Sequence, residues 1–282
     1  MAIVWGLNFV VIDVGLKVFP PLLFAALRFA LVAFPAVLLV RRPCVPWRYI
    51  VAAGCFSGAL QFGLLFVSLD LGMPPGLGSL VLQLQIVFTI ALATIVLGEH
   101  PTVGQLVGGT VALLGVGLIA LGRGGVAIPA GALALAIASA ASWGIGNVVT
   151  RIARPPDAAA FLIWTSLVPP IPLAALSLII EGPRRLSEVL SSLTLAAVLA
   201  LAYVVVLATG FGWGAWAYLL RRHPTSDVVP FALVVPVAGI AAAALFAHEP
   251  PAPAEIGGGL IVLMGLLLVT RASRPAPSPG IA

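Results

Sequence analysis

Apolar residues in this chain fall in long unbroken runs. Ten stand out, at residues 1–18, 22–40, 48–69, 75–97, 104–122, 129–149, 159–180, 193–219, 226–247 and 255–271. Each is close to the roughly 20 apolar residues that carry a helix across the hydrocarbon of a bilayer. The runs lack the alternation that a lipid-facing barrel strand needs. The pattern therefore predicts an all-α integral membrane fold of ten transmembrane helices. Charge, Pro and Gly collect in the short connections: Arg41-Arg42-Pro43, Glu99-His100-Pro101, Arg154-Pro155-Pro156-Asp157, Gly182-Pro183-Arg184-Arg185 and Arg221-Arg222-His223-Pro224. None of these is long enough for a soluble domain. Residues 272–282, with Arg274-Pro275-Ala276-Pro277-Ser278-Pro279, are expected to be a disordered tail.

Composition agrees. Of 282 residues, 8% are charged and 61% hydrophobic, and the mean hydropathy is +1.19. Soluble domains carry about 25% charged residues, and a single core stops growing near 250–300 residues. A water-soluble fold could not hide this much apolar surface. Disordered chains are poor in apolar residues, so disorder is excluded as well. The net charge of +5 does not point to nucleic acid, because the basic residues are scattered at the ends of apolar runs. That is how loops facing an anionic cytoplasmic leaflet look.

Those basic residues also predict orientation. With the N-terminus inside, the inner connections hold Arg41, Arg42, Arg48, Arg151, Arg154, Arg221, Arg222, Arg271 and Arg274. The outer ones hold Lys17, Arg123, Arg184 and Arg185, while Arg28 lies within the second run. The excess favours both termini in the cytoplasm. Cys44 and Cys55 form no CxxC and read as a loop residue and a small filler. The first run has no basic leader and no small-residue cleavage site, so no removable signal peptide is expected. Met1 stands only four residues before Trp5. The first helix is therefore expected to begin upstream, with Met1 a late start or the chain a fragment.

The chain repeats itself. At a shift of 150 residues, Pro74 meets Pro224, Glu99 meets Glu249, and Pro101 meets Pro251. Gly108 and Gly109 meet Gly258 and Gly259, and Gly115 meets Gly265. Trp5-Gly6-Leu7-Asn8 resembles Trp143-Gly144-Ile145-Gly146-Asn147 at a shift of 138 or 139. The predicted units are 1–122 and 129–271, five runs each. Because five is odd, the second unit must enter the membrane from the opposite side. Inverted pairs of this kind are found in many secondary transporters, where exchange of the two halves switches the side on which a midplane site opens. Duplication kept only for packing is the alternative.

Several elements together resemble a known family. They are Trp5-Gly6-Leu7-Asn8-Phe9-Val10-Val11, Leu27-Arg28-Phe29, Gly72-Met73-Pro74, Ser79-Leu80-Val81-Leu82-Gln83-Leu84-Gln85, Gly98-Glu99 and Leu233-Val234-Val235-Pro236-Val237. They resemble the EamA family of the drug/metabolite transporter superfamily, through essentially the whole chain. The Gln-x-Gln and Gly-Met-Pro elements are closest to the members that export O-acetylserine and cysteine. The resemblance implies a ten-helix bacterial inner-membrane exporter of small amino-acid metabolites that works by alternating access. It implies a small-molecule solute and the lipid bilayer as partners, no nucleic acid, no cofactor and no metal, and a monomeric carrier. Asp13 departs from the pattern, standing where the resembled exporters carry Lys.

Polar side chains within a bilayer are costly unless they face protein or water, so those inside the runs are the candidates. Trp5 and Asn8 are three apart and share a helix face, as do Trp143 and Asn147, four apart. Asn offers both donors and acceptors, which suits a zwitterionic or amide-bearing solute, although hydrogen bonding between helices is an equal reading. Gln61 lies in the third run. Gln83 and Gln85 lie in the fourth, where the second unit has Leu233 and Val235, so the repeat is broken there. Two apart on a helix, they cannot both face a solute, and Gln83 is preferred. Trp213, with Trp216, Tyr203 and Trp164, offers an aromatic wall or an interfacial belt.

Asp13 is the only acid well inside a run and is a candidate for coupling or gating. Lys17, at i+4, makes a structural pair the favoured reading. Pro236 removes an N–H from the ninth helix and frees a carbonyl, which marks a bend or a lining element. Thr102 and Gln105 have capping-box spacing. Gly108, Gly115, Gly258 and Gly265 are placed for close helix packing within the chain.

A sugar-phosphate or nucleotide-sugar carrier of the same superfamily would need cavity cations for phosphate, and only Arg28 and Lys17 are available. No HExxH, GxSxG or paired intramembrane aspartate suggests an enzyme. No P-loop is present, so an ion gradient is the default energy source. A mere scaffold would leave the polar residues of the first, third, fourth and sixth helices unexplained.

Overall fold

The structure, a computed structural model, describes residues 1–121, 128–223, 228–247 and 252–272. Residues 273–282 of the expected tail and the positions Pro224, Glu249 and Pro251 lie outside these residues, as do Arg123 and Gly124; Ala272, the first residue of the expected tail, closes the last helix.

Among the described residues the chain is helical, with no strand. Seven helices are long and apolar enough to cross a membrane. They are α2 (Pro21–Leu39), α3 (Trp47–Asp70), α4 (Pro75–Leu97), α6 (Ala130–Ala153), α7 (Ala158–Glu181), α9 (Leu195–Trp216) and α11 (Pro253–Ala272). Three shorter apolar helices accompany them: α1 (Ala2–Leu16), α5 (Val103–Leu121) and α10 (Val234–Phe246). Each falls on one of the apolar runs. Their outer faces expose large apolar side chains such as Leu38, Leu39, Ile95, Ile171 and Ile179, as a lipid-facing surface requires.

One further helix, α8 (Pro183–Ser192), occupies what the run pattern treats as a connection. It is too polar and too short to span. Pro183 starts it, where a missing N–H costs nothing. Leu186, Val189 and Leu190 recur at helical spacing, and Val189 is buried.

Two helix ends follow their sequence signals. Thr102 N donates to Gln105 Oε1 at 2.9 Å and Gln105 N to Thr102 Oγ1 at 3.2 Å, closing the capping box before α5. Gly98 ends α4 in the left-handed region at φ 67°, which a side chain would strain. Beside it, Glu99 pairs with Arg151 at the end of α6, 2.9 Å apart.

Helix α5 packs along α11, α1 along α10, and α6 along α4. The α5–α11 seam is tight enough to need glycine. A Cβ on Gly108 would stand 2.5 Å from the Gly265 carbonyl oxygen, and one on Gly115 would stand 2.7 Å from that of Gly258. These pairings mean that the two helices run in opposite directions. Helices α4 and α10 do likewise, with Gly76 against Ile240 and Ala243, and Gly239 against Ser79.

Four of the helices leave α geometry. Helix α3 widens to a π-turn over Gly54–Leu60, α7 over Ser177–Glu181 and α9 over Tyr203–Phe211. Helix α4 tightens to a 3-10 turn at Leu82–Leu84, and another 3-10 turn, Val229–Leu233, leads into α10. Departures of this kind are frequent at functional sites.

A column of aromatic rings fills the space between α2 and α3. Phe19 stacks on Phe24 at 5.2 Å, Phe24 meets Phe66 at 5.3 Å, Phe66 meets Phe62 at 6.2 Å, and Phe62 meets Phe29 at 5.3 Å. Each such pair adds about 0.5–1.5 kcal/mol beyond its buried area. The column ends beneath Arg28.

Candidate functional site

A cavity of about 430 Å³ lies between α2, α3, α6, α7 and α9. Small-molecule sites commonly have this size. It runs from Arg28 and Thr209 in the middle of their helices to Pro155 and Ala158, at the α6–α7 connection. The cavity therefore reaches toward the end of the bundle that carries Arg151 and Arg154.

Local structure explains the opening. The π-turns of α3 and α9 both border it, through Gly54, Ser57 and Gly58 on one side and Thr209 on the other. Gly54 lets α3 press on α7, since a Cβ there would stand 2.6 Å from the Thr165 carbonyl oxygen.

Of the residues expected from sequence, Gln61, Trp143, Asn147 and Trp213 line the cavity. Asn147 is also tied to α4: its Nδ2 donates to Gln85 Oε1 at 2.7 Å and to Thr89 Oγ1 at 3.0 Å. Gln85 and Thr89 thus orient an amide that lines the cavity.

Trp5, Asn8 and Gln83 are not among the lining residues. Trp5 stands behind the wall, 5.1 Å from Trp213 and 5.8 Å from Trp216, with Nε1 donating to the Ala208 carbonyl at 2.8 Å. Tyr203 Oη donates to the Val4 carbonyl at 2.9 Å, so α1 is fastened to α9 twice. Asn8 is buried at 7% exposure and its Oδ1 has no hydrogen-bond partner. Gln83 is buried and donates Nε2 to the Ala232 carbonyl at 3.3 Å. Pro236 is buried in α10. Asp13 is partly buried, feels the charge of Lys17, and is not among the described lining residues.

Arg28 is the residue that sequence reasoning passed over as a binding group. It is 2% exposed and is the only charged side chain among the described lining residues. Its Nε donates to Thr209 Oγ1 at 3.1 Å, and Thr209 in turn donates to the Val204 carbonyl at 2.8 Å. The guanidinium carbon lies 4.0 Å from the centre of the Phe62 ring and 5.6 Å from that of Phe29. Its Nη1 has no partner. A cation inside an apolar run was the available signal; its neighbours come from α3 and α9 and could not be read beside it.

The described residues contain no cluster of His, Cys, Asp or Glu suited to a metal ion. The described lining is mainly apolar and aromatic, set with a few amides and hydroxyls and, among the described residues, one cation.

Known proteins resemble the chain along its length. The model of the EamA-like transporter family matches residues 1–121 and 130–271. A probable amino-acid metabolite efflux pump of Salmonella typhimurium is 39% identical over 273 residues, covering 95% of this chain and 91% of the pump. Its Escherichia coli counterpart matches to the same extent. A probable terminal-alkyne amino-acid exporter of Streptantibioticus cattleyicolor is 26% identical, covering 99% of this chain and 95% of the exporter. A protein of known crystal structure, 22% identical, superposes with a TM-score of 0.59 over 96% of each chain, a likeness of fold alone. Family match, near-complete overlap with efflux pumps and a set of apolar helices agree: the chain is a multi-pass membrane protein belonging to the EamA-like transporter family.

Proposed function

We propose that the chain is a secondary transporter of the bacterial inner membrane that exports small amino-acid metabolites, of the O-acetylserine and cysteine type, by alternating access. The observation that carries this reading is the cavity: a largely apolar and aromatic chamber of about 430 Å³, set with a few polar groups, reaching mid-bundle from one end. The probable amino-acid metabolite efflux pumps and the probable terminal-alkyne amino-acid exporter that the chain resembles support this solute class and direction. A carrier needs a site and a way to expose it on each side in turn; it needs no catalytic group.

The inverted repeat supplies the second requirement, and the packing supports it. Exchanging the two units by the sequence shift of 150 turns the pair Gly108–Gly265 into Gly258–Gly115, which is the other contact of the same seam. It turns the α3 π-turn at 54–60 into 204–210, inside the α9 π-turn. It also carries the 3-10 turn at 82–84 onto 232–234, overlapping the one before α10. Contact of α1 with α10 exchanges with that of α6 with α4. Repeat units 1–122 and 129–271, ten spanning helices and a monomeric carrier are part of this reading. With both termini cytoplasmic, the arginine-bearing end and the cavity mouth face the cytoplasm, the side where an exported solute is loaded.

A sugar-phosphate or nucleotide-sugar carrier fits less well, because the described lining residues include a single cation and phosphates call for several donors. The test is transport itself. Proteoliposomes holding the purified chain and labelled cysteine or O-acetylserine are given a pH gradient, and release is followed. Release above protein-free vesicles supports the reading; none with either solute, under either gradient polarity, overturns it.

A further inference from the structure

We infer that Arg28 is the anchor for a carboxylate on the transported solute, and that the carboxylate, not the ammonium, is the group the cavity requires. The substrate class is thereby narrowed to carboxylates with a free acid group, whether or not their nitrogen is charged.

The argument begins with what Arg28 lacks. A guanidinium carries five donors in a fixed planar fork and has no acceptor. Here Nε is used by Thr209, one face is covered by Phe62, and Nη1 is buried with no partner. The described residues offer no carboxylate within ion-pair reach. A buried cation left unpaired is costly, and the aromatic face returns only part of that. Yet the Thr209 bond and the Phe62 ring fix the plane of the fork where it borders the cavity. A planar acid arriving there finds an oriented, desolvated partner, the setting in which Arg–carboxylate bonds are strongest.

The second half follows from the rest of the lining. Among the described lining residues there is no Asp or Glu, so a solute ammonium meets no opposite charge from them. Trp143, Trp213 and Trp216 give aromatic faces and Asn147 gives an amide oxygen, weaker partners that a neutral nitrogen can also use. Charge balance is reached by one carboxylate alone.

This inference rests on the exporter reading, and the test separates the two. The full chain in detergent is titrated with L-cysteine, N-acetyl-L-cysteine, L-cysteine methyl ester and 3-mercaptopropionate, with quenching of tryptophan fluorescence as the readout. The acid with a blocked amine and the acid with no amine are expected to bind better than the ester, which loses roughly 10- to 100-fold, the range of a charge-assisted bond. Arg28→Gln is expected to bring cysteine down to the ester and to leave the ester unchanged. Arg28→Lys keeps the charge and retains the preference for acid over ester, weakened. An ester that binds as well as the acids, or an acid preference that survives Arg28→Gln, overturns the assignment. The wild-type comparison decides even where Arg28→Gln does not fold. If cysteine is transported but the ester competes equally, the anchor is wrong and the exporter reading stands. If 3-mercaptopropionate binds through Arg28 but no amino acid is carried, the anchor stands and the exporter reading falls.

Discussion

The side-chain amide of Gln83 donates to the carbonyl of Ala232, 3.3 Å away, and that carbonyl is the one Pro236 cannot serve. In an α-helix the N–H of residue 236 would take the oxygen of residue 232, and proline has none. A polar side chain of α4 thus partly compensates the gap in the ninth span, between two 3-10 turns. Gln83→Leu is expected to lower stability by about 0.5–1.5 kcal/mol, the net worth of one hydrogen bond. In a Pro236→Ala background the loss should shrink, since a backbone donor is restored. Thermal unfolding of the four proteins in detergent measures the coupling. Equal losses in both backgrounds would remove the link. Pro236→Ala alone is expected to slow transport, because it stiffens the break.

The seam between α5 and α11 predicts a contrast among glycines. Gly115→Ala puts a methyl 2.7 Å from a backbone oxygen that cannot step aside, and overpacking of this kind costs about 1–3 kcal/mol. Gly117 meets nothing within 4 Å, so Gly117→Ala is expected to be neutral or to stabilise by up to ~1 kcal/mol through helix propensity. Melting temperatures of the two variants should move in opposite directions or, at the least, Gly115→Ala should fall well below Gly117→Ala.

Asn8 and Asn147 follow a similar Trp-Gly element in the sequence but have different surroundings, and their variants should separate stability from flux. Asn147 holds Gln85 and Thr89, so Asn147→Ala is expected to lose both stability, by about 1–3 kcal/mol for the acceptor left behind, and transport. Asn8 Oδ1 is buried and unpartnered. Replacing it by an apolar group of like shape removes a penalty, so Asn8→Leu is expected to match or exceed wild-type stability. Its flux should still collapse, since an orphan acceptor on α1 is useful only when the cycle brings it a partner. A stable Asn8→Leu protein that transports at the wild-type rate would remove Asn8 from the machinery.

Much of this was legible along the chain because it depends on local pattern. Run length marked the apolar helices, Thr102 and Gln105 announced a cap, and glycines seven apart announced a seam. What could not be read depends on distant neighbours. Trp5 was expected to share a cavity-lining face with Asn8, yet its indole is spent on Ala208, some 200 residues away. Gln83, preferred from the sequence as the one facing solute, is not among the described lining residues, and the partners of Gln83 and Gln85, Ala232 and Asn147, are set by which helices cross. Arg28 was visible as a cation in an apolar run. That it has a ring beneath it, a hydroxyl beside it and no acid near it becomes known only once α3 and α9 are in place. The π-turns carry no periodicity signal at all, and α8 was hidden because polarity was taken to mean a connection.

Native Cys44 gives the cleanest test of orientation. It is exposed in the 40–46 connection, beside Arg41 and Arg42, whereas Cys55 lies within α3 at intermediate burial. If basic connections face the cytoplasm, a membrane-impermeant maleimide added to intact spheroplasts should leave Cys44 unlabelled, and the same reagent should label it in inside-out vesicles. In a Cys44→Ser chain, a cysteine at Arg154, near the cavity mouth, should behave as Cys44 does. One at exposed Ser187 in α8 should behave oppositely, because α7, long and apolar enough to cross the bilayer once, lies between the two sites. Labelling of Cys44 from outside would reverse the orientation and make the observed cavity a release state. Labelling of Arg154→Cys and Ser187→Cys from the same side would do more. It would deny that α7 crosses at all, and with it the odd count of crossings in each half on which exchange of the two units depends.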